Sequence, residues 1–172
     1  MDGPPAMSLG VGPVSPHAMR RPPRPARERI LTRPRLLRIL LASAVMVTGT
    51  LLVLANAPGP EPTLGVPTVA GTMAWVTYVF FQVYNLLNVR NDLRSAFSRE
   101  TLEHRSAFAA TAAVIVLLAL IVEMDVLHGF FTVTDLTSGQ WLACAAVGSV
   151  VLWVGELLKI VLRAQAGQAG VR

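Results

Sequence analysis

The chain has a single cysteine, Cys144, which excludes an intramolecular disulfide and a multi-cysteine metal site. It has no Gly-rich loop ending in Gly-Lys-Ser/Thr, the element whose backbone cradles nucleotide phosphates. Nowhere do a nucleophile, a base and a group to orient that base fall together, so the polypeptide alone is not expected to be an enzyme. Charged residues are scarce at 15%, against 53% apolar types. Positive charge is missing altogether from two stretches, 55–68 and 128–139, which contain neither Lys nor Arg.

Those gaps fall between four apolar runs, at 36–54, 69–88, 108–127 and 140–162. Each is close to the ~20 residues that a helix needs to cross a hydrocarbon core of about 30 Å. A soluble helix would interrupt such a run with a polar stripe, and Val114–Val122 shows none. The sequence therefore predicts an all-α membrane protein with four transmembrane helices. A signal peptide is excluded for the first run by its length and by the Pro- and Arg-rich flank before it.

All fifteen Lys and Arg residues fall on one side of this arrangement. Arg20, Arg21, Arg24, Arg27, Arg29, Arg33, Arg35 and Arg38 precede or open the first run. Arg90, Arg94, Arg99 and Arg105 sit between the second and third, and Lys159, Arg163 and Arg172 follow the fourth. Basic residues are retained in the cytoplasm, so both termini are expected there. The net charge of +5 is thus a matter of topology, and no nucleic-acid partner is expected.

Three parts follow: a cytoplasmic segment 1–35, a four-helix domain 36–163 and a cytoplasmic tail 164–172. Eight of the twelve prolines lie in the first part, which cannot form a long helix. Its arginines are expected to anchor at anionic lipid headgroups or to meet an acidic partner. Residues 28–33 can form one interfacial turn before Pro34, and Ser98 to Glu103 suggest a short helix. Thr68 can cap the second run and Thr137 or Ser138 the fourth, with 129–139 as the last outer turn.

Polar groups within a span are costly and point to function. Tyr78, Gln82 and Asn85 form one stripe on the second run, and Asn88 continues it. The stripe serves either hydrogen bonding between helices or contact with an ion. Glu123 and Asp125, beside His128, are expected to reach water or a neighbouring helix end. Glu156 and Lys159, three apart, are expected to pair. Ala109, Ala110, Ala112 and Ala113, and Ala143, Ala145, Ala146 and Gly148, suit close packing, and Cys144 reads as a small apolar filler.

The opening Met1-Asp2-Gly3-Pro4-Pro5-Ala6-Met7-Ser8-Leu9-Gly10, with Met19-Arg20-Arg21-Pro22-Pro23-Arg24, resembles one place in the P-type cation pumps. It is similar to the inner end of their sixth transmembrane helix and the loop that follows, most closely in secretory-pathway calcium pumps. Thr72-Met73-Ala74 through Asn85-Leu86-Leu87-Asn88 resembles the eighth helix, and Gly155-Glu156-Leu157-Leu158-Lys159 the end of the tenth. The resemblance covers about residues 1–163 and makes the four runs helices seven to ten. It implies that Asp2 is a cation ligand, a carboxylate being what hard Ca²⁺ requires. Gln82 stands where two-site calcium pumps have an acidic residue, which favours a single ion site, with Gln82 and Asn85 as weaker candidate ligands.

The phosphorylated aspartate of those pumps has no counterpart here. Thr48-Gly49-Thr50 follows Met46 and Val47, where Asp and Lys would be needed. The resemblance thus implies the carboxy-terminal membrane region of a cation pump, a fragment or misread start without ATPase activity by itself. No cofactor is expected in this chain. Ca²⁺ or another cation would be transported, with ATP and Mg²⁺ used only by the complete pump. The expected partners are the lipid bilayer and the remaining pump portion, in the same or a separate chain. The expected location is an integral, multi-pass position in the plasma membrane of a prokaryote. The alternative is a free-standing four-helix membrane protein acting as a regulatory or assembly partner.

Overall fold

The computed structural model describes residues 33–60, 65–89 and 105–169, which form five helices and, among the described residues, no strand. They are α1 (Arg33–Asn56), α2 (Val69–Val89), α3 (Arg105–Glu123), α4 (Asp125–Phe131) and α5 (Ser138–Ala169). The all-helical expectation holds. Two helices, over Arg35–Asn56 and Ser138–Val161, are long and apolar enough to cross a membrane. A third joins them if α3 and α4 form one broken span.

α1 begins at Arg33 and carries Pro34 in its first turn, where no backbone donor is needed. Helix therefore runs through Pro34 instead of stopping before it. Leu36, Leu37, Ile39, Leu40, Leu41, Val47, Leu51 and Leu52 are all exposed on α1. Water would reject so continuous an apolar surface, and lipid accepts it. At its far end Asn56 Nδ2 donates to Leu52 O at 2.8 Å and Ala57 N to Val53 O at 2.9 Å, before Pro58 ends the helix.

α2 lies at the centre and buries ten residues, from Ala70 to Leu86. Its start is set by Thr68, whose Oγ1 accepts the Gly71 N–H at 3.1 Å. Thr72 Oγ1 donates to Thr68 O and accepts the Thr134 N–H, both at 3.0 Å. α2 is not among the helices apolar enough to pass as a span on composition. The other helices surround it, so its polar groups can meet protein instead of lipid.

α2 and α5 run parallel in close contact: Met73 meets Cys144, Phe80 meets Gly148 and Asn88 meets Val151. Glycine makes this approach possible. A Cβ on Gly148 would lie 2.6 Å from Phe80 Cβ and 3.3 Å from the Phe80 carbonyl carbon. One on Gly155 would lie 2.6 Å from Asn88 Cγ. The alanines do less than expected: Ala109, Ala112, Ala113, Ala143 and Ala146 are exposed. Cys144 is fully buried, with its Sγ donating to Met73 O at 3.5 Å. The core gathers Met73, Val76, Val79 and Val83 of α2, Val114, Leu118 and Val122 of α3, and Leu136 and Cys144.

The third apolar run is not one straight helix. α3 stops at Glu123, Met124 is extended, and α4 leaves at 97° to α3. Helix continues to Phe131, so the connection to α5 is shorter than 129–139, and Thr132 closes α4 in the left-handed region at φ 54°. α5 opens on a reciprocal cap. Thr137 N donates to Gln140 Oε1 at 2.8 Å, and Gln140 N to Thr137 Oγ1 at 3.4 Å.

Candidate functional site: a polar cavity at one end of the bundle

α1 runs antiparallel to α2 and α5, and the three line a cavity of about 440 Å³. Arg35 and Arg38 reach it from α1, Asn88 and Val89 from α2 and Lys159 from α5, all from the same end of the bundle. Deeper in, Met46, Gln82 and Val151 close it. The stripe expected on α2 is thereby divided. Gln82, Asn85 and Asn88 line the cavity, whereas Tyr78 is 46% exposed and lies outside it.

Asn88 Nδ2 donates to Val151 O at 2.9 Å, tying α2 to α5. Its Oδ1 is sealed from solvent beside Gly155 and has no hydrogen-bond partner among the described residues. Lys159, only 5% exposed, donates to Glu156 Oε1 at 3.1 Å, the expected pair. The pairing offsets a charge that the bundle would otherwise bury alone.

No Asp or Glu lines the cavity among the described residues. Gln82 and Asn85 bring neutral amide oxygens, and the charges at the mouth are positive. A hard divalent cation is held by carboxylates, so these walls alone are an incomplete cation site. Asp2, the expected carboxylate ligand, lies outside the described residues, as do the arginines at 20–29 and 90–99 and the helix expected at 98–103.

At the opposite end, the bend at Met124 gathers polar residues that the sequence scatters. His128 Nε2 lies 2.8 Å from Val122 O. A carbonyl only accepts, so Nε2 carries the proton. Asp125 stands 3.9 Å from Nδ1 and Asp135 3.6 Å from Nε2. Both carboxylates are largely exposed, so water screens these contacts. Glu123 Oε1 accepts the Trp141 indole N–H at 3.0 Å, joining the end of α3 to the first turn of α5. Asp135 escaped the sequence reading. Nothing in spacing links it to Asp125, because only the turn at Thr132, after α4, brings it back beside His128.

A helical bundle with exposed apolar residues on α1, α3, α4 and α5, a central helix carrying polar groups and a basic mouth defines a membrane domain. The chain belongs to the family described as cation transporting ATPase, C-terminus, which matches residues 1–161. It is 34% identical over 161 residues to calcium-transporting ATPase type 2C member 2 of Homo sapiens, covering 93% of this chain and 17% of that protein. To type 2C member 1 of Homo sapiens it is 33% identical over 170 residues, 96% of this chain and 18% of the relative. Calcium-transporting ATPase 1 of Schizosaccharomyces pombe is 32% identical over 159 residues, 92% of this chain and 17% of that protein. The chain thus spans less than a fifth of the length of these relatives.

Proposed function

We propose that this chain forms the carboxy-terminal four-span membrane region of a calcium-transporting P-type ATPase, where it supports the ion-conducting helices. The match over residues 1–161 to the cation-pump family carries this reading. The relatives' names supply the ion, since all three are calcium-transporting ATPases. α1, α2, the bent α3–α4 unit and α5 would be the four spans, with both termini cytoplasmic. The crowding of Arg35, Arg38 and Lys159 at one end of the bundle supports that orientation. α2 can cross despite its polar residues because Gln82, Asn85 and Asn88 face the cavity between the helices. The family and the apolar helices support an integral membrane protein. The relatives named are human and yeast, so they lend no support to a prokaryotic plasma membrane.

In the complete pump Asp2 would supply the carboxylate ligand that the cavity walls lack, with Gln82 and Asn85 as neutral partners. A single calcium ion per cycle is the stoichiometry that one carboxylate and two amides favour. ATP and Mg²⁺ would act in the remaining pump portion. The test is ATP-driven ⁴⁵Ca²⁺ uptake by vesicles holding the complete pump. Asp2→Asn should abolish uptake, and Gln82→Ala should weaken apparent calcium affinity. Undiminished uptake by the Asp2→Asn pump would remove Asp2 from the ion site. Absence of an Asp-Lys-Thr-Gly-Thr coding segment upstream would favour a free-standing regulatory partner instead. Protease added to inside-out vesicles should cut within 89–107 and spare 55–68; the reverse would invert the orientation.

A further inference from the structure

α3 and α4 share one apolar run but differ in what surrounds them. The charged residues of α3 are Arg105 and Glu123, its first and last positions, with only uncharged residues between. Its 19 residues rise about 28 Å, close to a hydrocarbon core of about 30 Å. Glu123 then holds the indole of Trp141, a residue type that gathers at membrane interfaces. α3 therefore crosses the core by itself, and α4 starts where the core ends.

α4 leaves at 97°, so a crossing by α3 near the membrane normal places α4 close to the membrane plane. At about 100° per residue its side chains fall in three sectors. Leu127 and His128 are half-buried and the Phe131 ring stacks on Trp75 of α2 at 6.4 Å, so this sector faces the bundle. Asp125, its side chain 93% exposed, shares a second sector with Gly129. Val126 and Phe130 form the third, 81% and 90% exposed. An apolar edge set between an inward face and a charged one suits a helix lying in an interface.

We propose that α4 is an in-plane helix of the outer leaflet, with Val126 and Phe130 sunk at the boundary of headgroups and acyl chains. The crossing in the α3–α4 unit then belongs to α3 alone. Lipid is the partner this edge fits, because Val116, Leu120 and Met124, four apart and exposed, carry the apolar surface of α3 up to the bend. α4 contains no Lys or Arg, and Asp125 and Asp135 stand beside His128, so no acidic headgroup is selected. The contacts of Phe131 with Trp75 and of His128 with Val122 tie α2 and α3 to the depth at which α4 sits. The proposal rests on the membrane reading above and, for the name of the leaflet, on its orientation.

The experiment is spin labelling of single introduced cysteines, with depth read from collisions with oxygen and with a water-soluble nickel chelate. The 172-residue chain is placed in phosphatidylcholine vesicles; its own Cys144 is fully buried. Labels on Val126→Cys and Phe130→Cys should lie at one depth, about 5–10 Å into the interface. A helix that continued the span would separate them by about 6 Å, the rise of four residues, and that result would overturn the proposal. Labels on Asp125→Cys and Gly129→Cys should meet the chelate freely. The same behaviour at Phe130→Cys would overturn it too, by lifting the edge into water. Leu117→Cys and Leu120→Cys report separately on the membrane reading, since both should collide with oxygen deep in the core. Were they to meet the chelate instead, the membrane reading would fall and the proposal with it. In the complete pump, with other accessible cysteines replaced, loss of oxygen contact at Phe130→Cys would assign the edge to the remaining pump portion and overturn the proposal. All six positions are exposed, so the substitutions leave the core intact, and circular dichroism checks the helix content of each.

Discussion

Replacing Gly148 by alanine sets two effects of opposite sign against each other. In a helix interior alanine is favoured over glycine by about 0.8–1.0 kcal/mol, because glycine loses more backbone freedom on folding. Against this stands the contact with α2, where the new Cβ would sit 2.6 Å from Phe80 Cβ and 3.3 Å from the Phe80 carbonyl carbon. The second atom is backbone, so no rotamer change relieves it; α5 must move away from α2. Overpacking of that kind costs about 1–3 kcal/mol. A 2.6 Å contact that only backbone movement relieves belongs in the upper part of that range, about 2–3 kcal/mol, so steric cost exceeds propensity and a net destabilisation of roughly 1–2 kcal/mol is expected. Gly139 lies on the same helix with nothing within 4 Å of its Cβ position, and provides the control. Gly139→Ala should be neutral or more stable by up to about 1 kcal/mol. Unfolding of both variants by sodium dodecyl sulfate, followed by circular dichroism, measures the difference. If Gly148→Ala proves as stable as Gly139→Ala, the helices do not approach as closely as described.

Three further outcomes are expected from the same assay. Glu156→Gln leaves Lys159 buried without its 3.1 Å partner and should cost about 3 kcal/mol, whereas Glu156→Gln with Lys159→Met should recover most of the loss; a double variant no better than the single would refute a pairing role. Asn88→Ala removes the 2.9 Å bond to Val151 and should cost about 0.6–1.7 kcal/mol, the range for hydrogen bonds between membrane helices. Thr137→Ala should cost about 1 kcal/mol by opening the reciprocal cap with Gln140, and Thr137→Ser should restore most of it; equal stability of the Ala and Ser variants would show the cap to be idle.

Much of the helical layout can be read in the chain because its signals are local. Thr68 caps α2 and Thr137 caps α5, each three residues from its partner amide. Glu156 and Lys159 meet because three residues is nearly one turn. The bend at Met124 is different. No proline or glycine marks it, and its surroundings include a bond between Glu123 and Trp141, eighteen residues apart. The alanine-rich stretches misled for a related reason. Small residues permit close packing, but only a neighbouring helix decides which of them is used, and Gly148 and Gly155 are the ones that meet α2.

The sequence by itself determined the helical class, the spacing of basic charge between apolar runs and the cation-pump family, since composition, spacing and short motifs carry all three. Tertiary structure decided that Tyr78 parts company with Gln82, Asn85 and Asn88, and that those three share a cavity with Arg35, Arg38 and Lys159. It also decided that α2, which carries the stripe of polar residues, occupies the centre of the bundle. These facts depend on contacts such as Asn88 with Val151, sixty-three residues apart. Helical periodicity shows which residues share a face. Only packing shows what that face meets.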